Sequence, residues 1–384
     1  MAATFPILSF SEILARASHV ADCCADHASA IDYDGAFPAD EFGWLREAGL
    51  LTAPLHPDLG GAGMGVLPNT TPDLLRLLRQ IGRGNLAVGR IYEGHVNALL
   101  LFQKFGTATQ KDRWAEDAHQ CRLFSVWNTQ AGDGVRLVSL PNGQVQLQGA
   151  KTFASGAEHI ARPLITGADE NHGWQMVIVP TERIQPAVSD PSFWHPLGMR
   201  STASVHMDFS NLEVGSEDLV GKPGDYYTQP AFGGGGIRFM AVQMGGAVSL
   251  LENTRKYLRD QNRTQDPFQR ERVGKMASLI ESGDLWLRSA GELTDNPSAD
   301  ANTVVQYAHM ARAAIEEICV ETMRLTEKCV GARGLLRPHP VERIHRDLTL
   351  YLRQPGSDTA LVEAGRYVLE SSNPTHALWT NSAH

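Results

Sequence analysis

The segment most informative about the chemistry of this chain lies between Gly331 and Ser357. This segment begins with the turn Gly331-Ala332-Arg333-Gly334, whose glycines allow the backbone to approach a bound molecule closely. It continues through the charged pair Arg346-Asp347 and reaches Gln354-Pro355-Gly356. Pro355 has neither a carboxylate nor a backbone N–H, so it can neither accept a proton nor donate a hydrogen bond. The segment therefore combines a turn suited to a ligand with a centre that supplies no acid or base.

Two other positions could contribute to a site. Arg238 directly follows the glycine run Gly233–Gly236 and begins a predicted helix, where it either caps the helix at the surface or lines a pocket. His95 follows Tyr92-Glu93-Gly94 on another predicted helix. A lone histidine of this kind is more often structural than catalytic, so the sequence alone favours a structural role for His95.

Composition excludes several classes of protein. The 384 residues are enough for two or three domains, and 42% hydrophobic with 20% charged residues is typical of a soluble globular protein. A net charge of -9 argues against a nucleic-acid partner, which would favour a basic stripe. None of the five cysteines forms a C-x-x-C pair, so no metal site is expected. The N-terminus lacks a basic signal region, and no run of eighteen apolar residues occurs, so we expect a cytoplasmic protein without a membrane span.

Hydrophobic periodicity predicts helices, then strands, then helices. The predicted helices of the first part cover residues 10–30, 74–81 and 86–105, and a further helix enters at residues 37–41 and stops at Gly49. The predicted strands cover residues 123–127, 145–148, 176–179 and 204–209, with a hairpin turn at 141–143. The predicted helices of the last part cover residues 238–258, 268–293, 301–329 and 359–369. We therefore predict an α+β chain with a helical domain at 1–121, a β-barrel or sandwich domain at 122–222 and a helical bundle at 223–384.

Short motifs along the whole chain resemble those of the acyl-CoA dehydrogenase family. They are Pro57-Asp58-Leu59-Gly60-Gly61-Ala62-Gly63, Phe105-Gly106-Thr107, Gly198-Met199-Arg200-Ser201-Thr202, Leu219-Val220-Gly221, the turn at 331–334, Pro340-Val341-Glu342 and Arg346-Asp347. Each motif is weak alone, because a glycine-rich loop can be any tight turn, but their order is specific. The resemblance implies FAD bound between the β domain and a C-terminal four-helix bundle. A neighbouring subunit would complete the site, so we expect a homo-oligomer, either a dimer or a tetramer.

The same resemblance assigns FAD contacts to positions of this chain. In the β domain they are Phe124, Val126 and Trp127 beside the isoalloxazine ring, Gly132 in the next turn, Phe153 stacked near the flavin and Ser155 at its edge. In the C-terminal domain they are Arg259 or Arg263 on the pyrophosphate, together with Lys328, Gly331, Gly334, Ser357 and Thr359. Guanidinium groups suit phosphate oxygens because they bind them in bidentate fashion. The alternative interpretation of Phe124, Val126 and Phe153 is that they are ordinary core residues of the β domain. The alternative for Arg259, Arg263 and Lys328 is that they lie on a solvated helix surface.

Pro355 stands where the family carries its catalytic glutamate. In the family, that carboxylate removes the α-proton of an acyl-CoA thioester while the flavin accepts the β-hydride. Some members place the glutamate just before the Arg238 position instead, but that position is Ile237. A general base contributes about 10²–10⁴-fold and one oxyanion donor roughly 2.7–4 kcal/mol. The usual reaction of the family therefore lacks its usual base.

Three functions remain compatible with the sequence. The first is acyl-CoA dehydrogenation, with a base at Glu93, His95 or Asp358, Arg238 at the acyl site and an electron-transfer flavoprotein as acceptor. The second is a flavin-dependent monooxygenase or oxidase, in which oxygen is the acceptor and no α-proton base is needed. The third is a non-catalytic homologue, either an FAD-binding protein or a partner protein. In each enzyme interpretation the partner is a small molecule, which need not be a CoA thioester because Gly235 stands where some relatives hold CoA with aspartate.

Overall fold

The computed structural model describes residues 8–169, 173–183, 189–354 and 356–379. Within these ranges, five α-helices precede the sheet: α1 (Phe10–Asp34), α2 (Ala39–Glu47), α3 (Thr71–Gly84), α4 (Leu86–Phe105) and α5 (Ala108–His119). Five described α-helices follow it: α6 (Ile237–Asp260), α7 (Pro267–Asp295), α8 (Ala301–Val330), α9 (Pro340–Tyr351) and α10 (Ser357–Glu370). None of the described helices combines the length and apolar character needed to cross a membrane.

Local sequence determines where these helices begin and end. Ser9 and Glu12 form a reciprocal capping box at the start of α1, and the Asn85 side chain accepts two backbone N–H groups at the start of α4. Helix α1 ends at Gly35, which adopts the left-handed conformation with a φ of 66°. These caps satisfy backbone groups that the helices themselves leave unpaired.

A mixed sheet joins the two helical parts. Its strands in the described residues are β1 (Phe124–Trp127), β2 (Gln130–Ser139), β3 (Val145–Ala154), β4 (Arg162–Asp169), β5 (Gly173–Ile178), β6 (Ser189–Asp190), β7 (Val205–Asp208), β8 (Glu213–Val214) and β9 (Leu219–Val220). The strand order is β6-β7-β3-β2-β4-β5-β9, while β1 pairs in parallel with β4 and β8 pairs with β3. Strand β1 therefore lies next to the helices on one side of the sheet, and helix α4 packs against it.

Packing fixes the helices against one another and against the sheet. Helices α3 and α6 cross at Gly82 and Gly245, where an added Cβ would lie 2.3 Å from a backbone oxygen of the other helix. A second core cluster contains Phe102, Trp114 and Phe124, so it joins α4 and α5 to β1. Apolar contacts therefore hold the sheet between the two helical parts.

The architecture confirms the predicted fold class of N-terminal helices, central sheet and C-terminal bundle, in which α6, α7, α8 and α10 pack together. The predicted boundaries of α4 are reproduced, whereas α5, α9, β2 and β4 were not predicted. Strand β4 is buried along most of its length, so its sequence lacks the alternation that marks a half-exposed strand. The division at residues 121 and 222 stays a prediction.

Candidate active site

A cavity lies between the end of β1 and helices α4, α6 and α9. Its first part, of about 350 Å³, faces the sheet and is called here the sheet chamber; it is lined by Trp127, Phe153, Ser155, Trp194, Met199, Thr202, Ser204, Leu350 and Tyr351 among others. Its second part, of about 390 Å³, is called here the helix chamber; it is lined by Gly235, Arg238, Phe239, His309 and Arg312 among others. Both chambers are lined by Glu93, Asn97, Val126, Asn128, Tyr226, Phe239 and Gln354. The two chambers are therefore adjoining parts of one site.

Aromatic rings form a wall of the sheet chamber. Phe153 has a φ of 53°, at an irregularity in the pairing of β3 with β7. Left-handed backbone is rare for a bulky side chain and is often found at functional sites. The Phe153 ring makes edge-on contacts with Phe193 at 5.2 Å and with Trp194 at 6.0 Å between ring centres. The strained backbone thus holds an exposed ring at the chamber.

A row of hydroxyl groups lies beside this aromatic wall. The Ser155 and Ser204 hydroxyls are 3.0 Å apart, and Ser204 is 2.9 Å from the Thr202 hydroxyl. Thr202 in turn donates to the Met199 carbonyl at 2.9 Å. The Tyr351 hydroxyl is also buried at the chamber but has no hydrogen-bond partner among the described residues. Because a buried polar group normally has a partner, this hydroxyl is suited to a bound molecule.

Hydrogen bonds link three charged side chains and one amide along the two chambers. Arg90 donates to Glu93 Oε2 at 2.8 Å, and Asn97 donates to Glu93 Oε1. Arg238 Nε then donates to the Asn97 carbonyl oxygen. Burial tends to lower the pKa of Arg90, but the neighbouring Glu93 carboxylate offsets this and holds that pKa above its usual range. Both Glu93 oxygens are therefore occupied, one by a cation and the other by an amide.

Asn128 is oriented by hydroxyl groups behind the cavity wall. Its side-chain oxygen accepts from the Thr166 hydroxyl and, at 3.4 Å, from the Tyr227 hydroxyl. Thr166 is also 3.1 Å from the Nζ of Lys151, a side chain that is fully buried. Because the side-chain oxygen of Asn128 already accepts these hydrogen bonds, the N–H groups of its amide remain to donate at the cavity.

The loop that carries Met199 and Thr202 is fixed by α9. The buried Asp347 carboxylate accepts from the Met199 backbone N–H at 2.6 Å. A Cβ on Gly198 would lie 2.2 Å from the Arg346 carbonyl oxygen, so only glycine allows this approach. Burial raises the pKa of Asp347 to about 6. The motifs at 198–202 and 346–347, distant in sequence, therefore form one contact.

The structure brings six of the predicted site residues to the cavity. They are Glu93, Val126, Trp127, Phe153, Ser155 and Arg238. His95 and Phe124 instead lie in the core just behind it. The His95 ring accepts from the Phe124 backbone N–H at 3.1 Å and donates to the Leu51 carbonyl at 2.8 Å. Burial lowers the pKa of His95 to about 4, so the ring is neutral near pH 7 and joins α4 to β1.

The remaining predicted residues lie outside the lining of both chambers. Gly132 is exposed in β2 with a φ of 55°, Arg263 pairs with Asp266 at 3.2 Å, and Arg259 and Lys328 are exposed near the ends of α6 and α8. Gly331 ends α8, and Gly334 is buried just after it. Ser357 begins α10, and Asp358 and Thr359 are exposed in its first turn. Pro355 lies outside the described residues.

Several residues at the cavity were not predicted from the sequence. Arg90 and Asn97 share one face of α4 with Glu93, at spacings of three and four residues, which was an available signal. Asn128, Tyr226 and Tyr351 come from separate elements and share no local pattern. The described residues contain no group of three or more histidine, cysteine or acidic side chains placed to hold a metal ion.

Helices enclosing a sheet, with a cavity between sheet and bundle, define the acyl-CoA dehydrogenase type of architecture. Residues 15–120 match the acyl-CoA dehydrogenase N-terminal domain, and residues 224–362 match the acyl-CoA dehydrogenase C-terminal domain. This chain belongs to the acyl-CoA dehydrogenase family.

Its relatives in the family have different activities. A dibenzothiophene monooxygenase of Mycolicibacterium goodii is 25% identical, over 89% of this chain and 90% of the relative. The mitochondrial isobutyryl-CoA dehydrogenase of Dictyostelium discoideum is 23% identical, over 86% and 81%. The crystal structure of FMN-bound TdsC from Paenibacillus sp. A11-2 superposes with a TM-score of 0.85 at 20% identity, covering 96% of this chain and 100% of that chain. The family therefore includes both dehydrogenases and monooxygenases of similar size.

Proposed function

We propose that this protein is a flavin-dependent monooxygenase that transfers one atom of dioxygen to a small organic substrate. The observation that carries the proposal is the state of Glu93. Among the described residues that line the two chambers, Glu93 is the one carboxylate, and Arg90 and Asn97 occupy its oxygens. Removal of an α-proton needs a base within hydrogen-bond reach of the substrate. Glu93 is held in an ion pair instead, and Pro355 replaces the usual base of the family.

The sheet chamber fits a flavin ring by the chemistry of its groups. Trp127, Phe153 and Trp194 offer apolar ring surfaces to a planar heteroaromatic molecule, and the row of hydroxyls offers donors and acceptors to a polar edge. The unpartnered Tyr351 hydroxyl supplies a further donor. Burial raises its pKa well above the ordinary value, so this donor stays protonated at neutral pH.

When bound and reduced, the flavin would supply the two electrons needed to reduce one oxygen atom of O₂ to water while the other enters the substrate. The chain's residues would position the reactants and exclude water. Asn128 and Tyr351 line the sheet chamber, and their N–H and O–H groups would serve as donors for oxygen atoms or for the ring. The rings of Phe153 and Trp194, which contact each other and line the chamber, would displace water from around the reacting centre.

The identity of the flavin is a separate part of the proposal. Family resemblance favours FAD, with Arg259 or Arg263 reaching the FAD pyrophosphate of a neighbouring subunit. The further FAD contacts that it assigns to the C-terminal domain are Lys328, Gly331, Gly334, Ser357 and Thr359. TdsC, in contrast, has been crystallised with FMN. Titration of the purified protein with FAD and with FMN, followed by flavin fluorescence, separates the two. Tighter binding of FAD supports the contribution of the C-terminal residues.

Oxygen transfer is tested with a labelled gas. The protein is loaded with flavin, reduced by a separate NADH-dependent flavin reductase and exposed to ¹⁸O₂ with sulfur- and nitrogen-containing aromatic compounds. We expect one ¹⁸O atom in the product and one in water. A product without label, with all oxygen recovered as hydrogen peroxide, would contradict the proposal and favour an oxidase.

The dehydrogenase alternative, favoured by the similarity to isobutyryl-CoA dehydrogenase, predicts a different result. The oxidised, flavin-loaded protein is mixed anaerobically with short- and medium-chain acyl-CoA thioesters. We expect the flavin absorbance to persist, because the one carboxylate among the described lining residues, Glu93, is already engaged by Arg90 and Asn97. Rapid bleaching, followed by reoxidation with electron-transfer flavoprotein, would establish the dehydrogenase. Failure to bind any flavin would instead indicate a non-catalytic homologue.

A further inference from the structure

The helix chamber contains more positive than negative charge. Arg90, Arg238, Arg312 and Arg353 line the two chambers, against the single carboxylate of Glu93 among the described lining residues. Arg90 pairs with Glu93 at 2.8 Å, and Arg353 pairs with Glu316, just outside the cavity, at 2.7 Å. Burial and the neighbouring Arg312 lower the pKa of His309, which therefore adds no charge near pH 7. More guanidinium than carboxylate groups therefore line the two chambers among the described residues.

Of these guanidinium groups, that of Arg238 is the most available to bind a ligand. Its Nε donates to the amide oxygen of Asn97, which is neutral, and it forms no ion pair with any residue that the structure describes. Arg312, by contrast, donates to the Gln354 carbonyl at 2.7 Å and stacks on Phe239 at 5.4 Å. The outer edge of Arg238 can therefore still bind an anion through two parallel N–H donors.

The Arg238 guanidinium occupies space that is free because Gly235 has no side chain. A Cβ at position 235 would lie 2.5 Å from Arg238 Nη2, closer than side chains tolerate. Aromatic rings surround the rest of the chamber: Tyr226 and Phe232 are 5.4 Å apart, and Phe239 lies beside them in the lining. The chamber thus combines an apolar wall with one cationic end.

From this arrangement we propose that the substrate is a small organic anion, whose carboxylate, sulfonate or similar group pairs with Arg238 while its apolar body contacts Tyr226 and Phe239. This inference rests on the proposed function, because it names the substrate class of that same site. Neutralising this partly buried guanidinium, which forms no ion pair with a described residue, is favourable, since a desolvated charge without a partner is costly. A neutral compound of the same shape would leave that cost in place.

Matched ligand pairs test the inference by isothermal titration calorimetry on the oxidised, flavin-loaded protein. The probes are benzoate against benzamide and benzenesulfonate against benzenesulfonamide, which differ in charge but little in shape. We expect the anion to bind roughly 10- to 100-fold more tightly, as expected for charge-assisted hydrogen bonds. Equal affinities within either pair in the wild-type protein would overturn the inference.

Variants locate the preference. Arg238→Met should abolish it, and Arg238→Lys should retain part of it because the charge remains without the planar fork. Gly235→Ala should weaken it by displacing the guanidinium, with little effect on folding, because the atom it meets ends a flexible side chain. Arg366→Met is the matched control, since Arg366 is half-exposed and pairs with Glu363 and Glu370 on α10. A preference that survives in both Arg238→Met and Gly235→Ala would contradict the assignment.

The result is independent of the test for oxygen transfer. If anions are preferred but no ¹⁸O enters any product, the monooxygenase proposal fails while the anion site stands. If ¹⁸O enters neutral compounds as readily as their anionic counterparts, the monooxygenase stands and the anionic substrate class is refuted.

Discussion

Replacing Lys151 by methionine tests whether a buried ammonium destabilises the sheet. Lys151 is fully buried in β3, where its Nζ contacts the Gln130 side-chain oxygen at 2.8 Å and Thr166 at 3.1 Å. No carboxylate of the described residues pairs with it. Burial lowers the pKa of Lys151 from 10.5 to about 7. Since one pKa unit corresponds to about 1.4 kcal/mol, the charged form costs roughly 5 kcal/mol in the folded protein.

The sign of the pH dependence follows from proton binding. The pKa is lower in the folded state, so between pH 7 and pH 10.5 the unfolded chain binds more protons at this lysine. Stability therefore rises with pH through that window, and the full cost is present below pH 7. Between pH 7 and pH 9.5 the lysine's contribution should change by roughly 3 kcal/mol. For 384 residues unfolding together, this corresponds to a shift in Tm of about 4 °C.

Differential scanning fluorimetry of wild type and Lys151→Met at pH 7 and pH 9.5 measures this effect. We expect the Tm of the variant, relative to wild type, to be about 4 °C higher at pH 7 than at pH 9.5. Other titrating groups cancel in this double difference. Lys256→Met is the control, since Lys256 is exposed and pairs with Asp260 at 2.6 Å. A Tm difference that stays constant between the two pH values would refute the reasoning and show that Lys151 keeps its charge.

Three other perturbations have defined outcomes. Asp347→Ala should destabilise the protein by about 3–5 kcal/mol, because it orphans both the Met199 N–H and the buried Arg343 guanidinium, and Asp347→Asn should recover only the part due to Met199 in thermal denaturation. His95→Gln should leave the shape of the rate–pH profile between pH 5.5 and 8 unchanged, because the pKa of His95 is about 4; a lost inflection would implicate it in proton transfer. Leu369→Glu, at a side chain 87% exposed on α10, should reduce the oligomer mass measured by light scattering if α10 forms the expected subunit contact; an unchanged mass would place that contact elsewhere.

The long helices could be predicted because their apolar residues repeat and their ends carry local signals. Helix α4 illustrates this, since Asn85 caps its start and Gly106 follows its end. Helix α9 also begins clearly, at Pro340, but it is short, and its sequence indicates only the motif Pro340-Val341-Glu342 rather than a helix. Strand β4 could not be found from alternation, because neighbouring elements bury it on both sides.

The candidate site was only partly accessible from the sequence. Trp127 and Phe153 lie on strands of the sheet and Ser155 directly follows β3, so the resemblance of these segments to the family was enough to predict their place at the cavity. The partners of Glu93 could not be established in the same way, because the Asn97–Arg238 contact joins α4 to α6 through tertiary packing. The unpartnered hydroxyl of Tyr351 is likewise visible only in three dimensions.

The contact between Asp347 and the Met199 loop has a consequence for how the protein loses activity. The loop supplies Thr202 to the sheet chamber, yet its conformation is held by a residue of α9. Loosening α9 would therefore open the binding cavity while every strand of the sheet remained paired. Release of bound cofactor on mild heating would then precede the loss of β structure, and it would serve as an early, optically visible sign that the bundle has begun to separate.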